Sequence, residues 1–553
     1  MLELRLVSAL AKVFPNNAPP ATNDDNWLSA LTNETVSLQA AYLYKNGCIR
    51  SWAVLKIEAP AEIEFTLRRV QYIPGSIPSH FKTDEGYIST DAGLFPDLLE
   101  PYKGTTKTGT NRLPLVPGIW QSCWIDVKFK ANASAGCYPL KISIEKSNGE
   151  VLSTAETSIE YISINLPKLH IPRTQWFHTD CLAEYYNVEA FSERHWQIIE
   201  NFASFAVDHG INTLLTPIHT PPLDTEIGNE RLTVQLIDVT QHGKIYEFGF
   251  EKFERWVAMC KRIGVEYYEM AHLFTQWGAK HAPKIVDTNG NQLFGWETDA
   301  VGDAYKNYLS QMLPALTIKL DQLGIAKKTI FHISDEPENE EHAKAYVKAR
   351  EAVISLLKGY KIADALTNYD SYKQNEHEII PIAAIDHITP FLESGAMELW
   401  CYYCCAQSYK VPNHFFMLPS YRNRVLGVLM YKYNMDGFLH WAYNFYKCIH
   451  SVYPIDPFRT TDADGTYPSG DAFVVYPGKD GKPLASLRLM VAQHAFNDLR
   501  ALKLLEAKIG RDAVVELIDR GLDTQITFTD FPQNEAYLLN LRQQVNSLIK
   551  KTS

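Results

Sequence analysis

Apolar and polar positions follow two rhythms along the chain, and the change between them marks its main boundary. Over residues 1–168 the apolar runs at 53–57, 63–68, 123–129 and 140–144 are short and partly alternating. Turn residues separate them, among them Pro117-Gly118 and Ser147-Asn148-Gly149. A period of two puts successive side chains on opposite faces, so each run reads as a strand. Short strands at this spacing predict an N-terminal β-sandwich. A link marked by Pro167 and Pro172 follows.

Over residues 169–460 apolar strands alternate with amphipathic helices. Strands are expected at 175–179, 212–217, 267–274, 329–334, 363–367, 384–388, 398–403 and 437–443. Helices are expected at 192–208, 250–263, 302–323 and 343–357, with Gly210 and Gly264 as stops and Pro337 opening the acidic turn before the last. Repeated strand-then-helix units imply a parallel sheet, and eight strands suit a closed (β/α)₈ TIM-type barrel. An open, doubly wound sheet is the alternative. No G-x-G-x-x-G opens the first unit, which weighs against a dinucleotide-binding form of it. Residues 461–553 read as a small C-terminal region, with a strand at 473–476 and helices at 486–509 and 511–520. The fold class is therefore a multidomain α/β protein.

The 553 residues exceed one hydrophobic core, since single cores stop growing near about 250–300 residues. The net charge is −11 and no long Lys/Arg run occurs, so nucleic acid is not an expected partner. No stretch of about 18 apolar residues occurs, so no membrane span is expected. The N-terminal residues alternate like a strand and lack a signal peptide's basic and apolar segments. As written, the chain is expected in the cytoplasm, or outside it if a leader has been removed. Nine Cys spread thinly over so long a chain suggest reduced thiols. The 11 Trp, 30 Tyr and 25 Phe suit large cores, or rings lining a sugar site.

The sharpest chemical signal is the run from Thr329 to Ser334 that ends in Asp335-Glu336-Pro337. Barrel active sites lie where strands end and the following loops begin. A helix dipole alone accounts for acids such as Glu338 and Glu340, but less well for two carboxylates crowded into one spot. Glycosidases need a proton donor and a second group that stabilises the anomeric carbon, usually from separate strands. Immediate neighbours point instead to substrate-assisted cleavage, in which a 2-acetamido oxygen attacks and an oxazolinium ion forms. In that scheme Asp335 orients the acetamido group and Glu336 serves as acid, then base.

Other expected strand ends carry His178 with Asp180, His219, His272 with Trp277, Asn368 with Asp370, Trp400 with Tyr402, and Trp441 with Asn444. Singly, a Trp is usually core and a His usually structural; their recurrence at strand ends suggests a carbohydrate pocket. Trp400, Tyr402 and Cys404 share one strand face, Cys401 and Tyr403 the other. His332 reads as structural. Cys401, Cys404 and Cys405 lack the partner pair that a zinc site needs, and His414 supplies none, so no metal and no cofactor are expected.

Several segments together resemble glycoside hydrolase family 123, the β-N-acetylgalactosaminidases, and the uncharacterised catalytic domains grouped with it. They are Trp124-Ile125-Asp126-Val127, Ala135-Gly136-Cys137-Tyr138, Phe274-Thr275-Gln276-Trp277-Gly278, Ser334-Asp335-Glu336-Pro337, Trp400 through Cys405, Asp436 through Trp441, and Gly470-Asp471 with Tyr476-Pro477-Gly478. The resemblance implies retaining, acetamido-assisted hydrolysis without a metal. It implies that Tyr402 bonds the acetamido carbonyl and that Trp400 and Trp441 wall the sugar. Cys401 stands where the family often has a second Trp.

The leading expectation is an exo-acting β-N-acetylhexosaminidase, favouring galactosamine by resemblance, whose partner is a glycan with that terminal sugar. One alternative is a two-carboxylate glycosidase pairing Glu336 with Glu269 or Asp180. Another is a non-catalytic carbohydrate-binding protein.

Overall fold

The alternating runs of the N-terminal third form two sheets. In the computed structural model, residues 2–20, 28–45, 49–102, 111–337, 339–373 and 378–553 are described. The five-stranded sheet runs Leu28–Thr32, Val151–Asn165, Gly136–Glu145, Ser51–Glu58, Arg112–Leu115. The seven-stranded sheet holds Leu2–Ser8, Thr35–Tyr44, Trp120–Phe129, Ile63–Gly75 and Gly93–Pro101. Its last two strands, Pro483–Ser486 and Val475–Pro477, come from the far end of the chain. One core joins the sheets: Leu38, Ala40, Ile125 and Val127 meet Leu55, Leu140, Ile142 and Ile144, all 0–1% exposed.

The seven-stranded sheet is buried on its other face as well. Leu99 and Trp124 belong to the large core that continues under the helices of the next unit. The Trp124 indole donates to Asp126 at 2.6 Å. Arg488 forms a bidentate pair with Asp97 at 2.9 Å, each 2% exposed, fastening the helix Leu487–Ile509 to the sheet. Such a pair is well placed in a dry interface because all its charge is hydrogen-bonded.

Eight parallel strands then close into a barrel. In chain order they are Arg173–Gln175, Thr213–Thr216, Tyr267–Met270, Thr329–Phe331, Lys361–Leu366, Ile380–Ala384, Trp400–Tyr402 and Gly437–His440. The first pairs with both the second and the eighth, through Thr174↔Thr213 and Thr174↔Leu439. Helices follow the strands along the chain, such as Glu193–Asp208 after the first and Glu340–Val353 after the fourth.

The seventh strand shows how sequence period becomes layer. Trp400 and Tyr402 join the barrel-interior cluster with Leu215, Ile330, Ala363 and Leu439. Cys401 and Tyr403 face the outer core. Gly437 is required beside Trp400, since a Cβ there would come within 2.2 Å of the indole. Gly427 serves the outer layer, where a Cβ would meet the Ala495 carbonyl at 1.8 Å.

Several expected boundaries move. The sixth strand is Ile380–Ala384 rather than 384–388, and the first ends at Gln175 rather than 179. The fourth strand stops at Phe331, leaving Ser334, Asp335 and Glu336 in the loop beyond it. The helix after it starts at Glu340, capped by Asn339, and Glu338 lies outside the described residues. No helix among the described residues is long and apolar enough to cross a membrane.

Candidate active site at the mouth of the barrel

All eight strands point the same way, so their C-terminal ends meet at one mouth. A cavity of about 300 Å³ opens there. Asp335, Glu336, Trp277, Tyr402 and Trp441 line it, together with Trp176, Asp224, Gln276, Tyr467 and His450. It stands at the small end of ligand pockets, which span about 300–1,000 Å³.

The acidic pair is held by its loops. Trp277 N–H donates to the Asp335 carbonyl at 3.0 Å, and Phe274 N–H to that of Ile333 at 3.0 Å, so the loops after the third and fourth strands move as one. Ser334 Oγ adds a bond to the Thr275 carbonyl at 2.8 Å. Glu336 adopts φ 39°, in the left-handed region that a residue with a Cβ rarely enters. That turn breaks the strand's alternation, and both half-buried acidic side chains line the cavity. Tyr402 donates its hydroxyl to Glu336 and also meets Thr367 Oγ1 at 2.9 Å. Burial, then the Glu336 charge, push the Tyr402 phenol well above its usual value, so it stays a donor.

Trp441 is fixed from behind. Its indole donates to Asp471 Oδ2 at 2.8 Å, and His440 Nε2 meets Asp471 Oδ1 at 3.3 Å. Beside it the Tyr467 ring meets Trp441 edge-on at 5.3 Å, and Asp224, at φ 40°, accepts the Tyr467 hydroxyl at 2.9 Å. Burial pushes the Asp224 carboxyl up, against the hydrogen bond from Tyr467. Its Oδ2, the Trp176 indole nitrogen and His450 Nδ1 are buried without hydrogen-bond partners.

The remaining expected residues lie around the cavity rather than among those lining it. His178 donates to the Trp441 carbonyl at 3.0 Å and accepts from Arg231 at 3.0 Å. Burial and the Arg231 charge push it down to about 3, so it is neutral. Asn444 makes two bonds to the His178 backbone, at 2.9 and 3.0 Å. His219 donates to the His272 carbonyl at 2.8 Å. Trp400 is 0% exposed in the barrel interior. Asn368 is exposed and caps the turn at Asp370 N–H, 2.8 Å away. Asp180 is spent on a bidentate pair with Arg231 at 2.6 and 2.9 Å. Glu269, 0% exposed, accepts from Thr174 at 2.5 Å and from His332 at 3.2 Å.

Beneath the mouth, His332 has both ring nitrogens against acceptors, the Ala363 carbonyl and Glu269. Only the imidazolium can donate twice. Burial opposes that charge, but Asp364 and Glu269 outweigh it and raise His332 to about 10. Two buried groups have donor atoms near enough to share a cation: His272, His332, Asp364 and His414, His440, Asp471. In the first, the His272 and His332 rings stack at 4.6 Å and 18°, face to face rather than converging edge-on. In the second, His440 is bonded to Asp471 and His414 Nδ1 to the Tyr403 hydroxyl at 3.2 Å. His272 Nδ1 in the first group and His414 Nε2 in the second have no hydrogen-bond partner.

Sequence reasoning did not single out Trp176, Asp224 or Tyr467, and it named Asp471 only within the family-like segment Gly470-Asp471. Trp176 ends the first strand one residue beyond its last ladder partner and could have been found by that position. Asp224 and Tyr467 come from long loops and carry no local signal.

Chemically, the mouth combines two neighbouring carboxylates with aromatic walls. Residues 176–505 match the catalytic domain of glycoside hydrolase 123. A solved family 123 glycoside hydrolase from Clostridium perfringens, described in terms of glycolipid glycan hydrolysis, superposes with a TM-score of 0.72 at 15% identity. The overlap covers 100% of this chain and 98% of that one, which shows a shared fold. A family 5 glycoside hydrolase from Bacteroides vulgatus has a TM-score of 0.33 at 10% identity, over 66% of this chain and 70% of that one. A putative beta-galactosidase from Bacteroides fragilis has a TM-score of 0.30 at 10% identity, over 80% and 56%. These two are too distant to bear on the fold. No curated protein matches the chain. The catalytic-domain match takes in more than half of the sequence, and the chain belongs to glycoside hydrolase family 123.

Proposed function

We propose that the chain is an exo-acting, retaining β-N-acetylhexosaminidase, favouring β-N-acetylgalactosamine, that works through the substrate's own acetamido oxygen. The observation carrying this reading is that the neighbouring carboxylates of Asp335 and Glu336 both line one small cavity, with Tyr402 on Glu336. Glu336 protonates the leaving oxygen. Asp335 holds the acetamido N–H and stabilises the charge that develops as the oxazolinium ion forms. Glu336 then takes a proton from the water that opens the ring. Tyr402 turns its hydroxyl from Glu336 to the acetamido carbonyl, and Trp441 with Trp176 walls the sugar. Trp400, in the barrel interior, supports Tyr402 rather than the sugar. A cavity of this volume suits one terminal sugar, which supports exo action.

The same reading takes residues 1–168 as a β-sandwich, 169–460 as a (β/α)₈ barrel and 461–553 as a C-terminal region that returns to the first sheet. A second reading keeps Glu336 as acid but pairs it with a carboxylate from another loop. Glu269 and Asp180 are buried in ion pairs away from the cavity lining, so Asp224 is the partner that reading requires.

Chromogenic β-GalNAc and β-GlcNAc glycosides test the proposal. Turnover with a preference for the former is expected. A folded protein inert on both, and on natural glycans ending in these sugars, would overturn it.

A further inference from the structure

The loop between the strands Ile63–Gly75 and Gly93–Pro101 leaves the N-terminal sheet and reaches the barrel mouth, where His80 and Phe81 line the cavity. It is tied down along its length. Ser469 Oγ accepts the N–H groups of Ser76 and Ile77 at 2.8 and 3.1 Å, and Ser469 N–H returns a bond to the Ile77 carbonyl at 2.8 Å. Farther on, Asp84 forms a two-bond pair with Arg422 at 2.8 Å, with both side chains no more than 2% exposed. Tyr87 donates to the Ser408 carbonyl at 2.8 Å, and Ile88 N–H to the Met417 carbonyl at 2.9 Å.

Yet Phe81, near the tip of this fixed loop, is 72% exposed. Single exposed apolar residues are ordinary on a protein surface. This one borders the cavity that holds the acidic pair, and its ring meets His80 edge-on at 4.5 Å and 77°. The deeper walls, Trp176 and Tyr402, are 2% exposed, so the terminal sugar takes the inner end and whatever it is attached to emerges past Phe81. A flat apolar ring held rigidly in that place suits the C–H face of a second pyranose, and it spends little ordering entropy on binding.

We propose that Phe81, with His80 beside it, is the platform for the leaving-group sugar, so that the N-terminal unit supplies the aglycone subsite of the barrel. The inference rests on the glycosidase reading and extends it to the other side of the scissile bond.

Two substrates with the same terminal β-GalNAc test it: the methyl glycoside, which has no second ring, and a disaccharide, which has one. Phe81→Ala is expected to lower kcat/KM on the disaccharide about tenfold, mainly through KM, as truncating a central aromatic contact does. It should leave the methyl glycoside and the Tm unchanged, and Phe81→Trp should keep the disaccharide rate. Equal losses on both substrates, or no loss on either, overturn the platform. A wild-type protein inert on both substrates instead contradicts the glycosidase reading. Calorimetry then decides the platform separately. Weaker disaccharide binding by Phe81→Ala, with methyl glycoside binding unchanged, supports it, and equal disaccharide affinities overturn it.

Discussion

The seven-stranded sheet of the N-terminal unit and the barrel mouth use similar residues in different ways. On the helix-facing side of the seven-stranded sheet Trp124 donates to Asp126, which also accepts from Ser37 and pairs with Arg68, so both carboxylate oxygens of Asp126 are engaged. Asn33 is the N-terminal unit's one non-glycine residue at positive φ among the described residues. At the mouth, Asp224, Trp277, Glu336 and His450 all have positive φ and all line the cavity. There the Trp176 indole and Asp224 Oδ2 have no hydrogen-bond partner, and His450 Nδ1 has only an ion-pair contact with Asp224 Oδ1 at 3.7 Å. Backbone strain costs about 1–3 kcal/mol per residue, and unpaired buried polar groups cost a similar amount. The first region is arranged for stability. The second concentrates strained backbone and unpaired polar atoms around one cavity.

Substitutions should separate the two. Glu336→Gln is expected to cut kcat by about 10²–10⁴-fold with the Tm unchanged, measured on a β-GalNAc glycoside and by calorimetric melting. A wild-type rate would remove Glu336 from the acid role. In the N-terminal core Ile142→Ala should do the reverse: it costs about 2–5 kcal/mol of stability in denaturant titration, with kcat per folded molecule unchanged. A matching loss of kcat would show that the two regions are not independent.

A smaller effect is expected from Tyr402→Phe. A hydrogen bond to a neutral carbonyl is worth about 0.5–1.5 kcal/mol, so kcat/KM should fall by about two- to tenfold. An unchanged value would place Tyr402 outside the chemistry.

The smallest effect concerns pH. His332 is raised in the folded protein from 6.5 to about 10 by Asp364 and Glu269. A raised pKa stabilises fully below pH 6.5, and the contribution is lost as pH rises through about 10. The Tm gap between wild type and His332→Gln should therefore be widest near pH 6 and narrow by pH 10. A constant gap would mean that His332 is not charged in the fold.

How far these regions could be read in advance differs for the same reason. Local rules reached some of the N-terminal strands, the helix stop at Gly264 and the two faces of the seventh strand, because period and turn chemistry are local, but they missed Thr35–Tyr44, Gly93–Pro101 and Val151–Asn165. They did not resolve the sixth strand: the apolar run ends at Ile385, before Asp386 and His387, and pairing with Ala363 through Leu366 selects Ile380–Ala384. The helix Glu535–Lys551 went unnoticed despite its Asn534 cap. At the site, Asp335 and Glu336 could be found because a strand, two acids and a proline are consecutive. Asp224 and Tyr467 could not, because loops far apart in sequence bring them to the cavity that the acidic pair lines.

Participation of the acetamido group is most directly measured by inhibition with the N-acetylgalactosamine thiazoline, which copies the cyclised sugar. The account predicts competitive inhibition with a Ki well below the KM of the matching glycoside, lost in Asp335→Ala. Active enzyme indifferent to the thiazoline would contradict it and transfer the second carboxylate's role to Asp224.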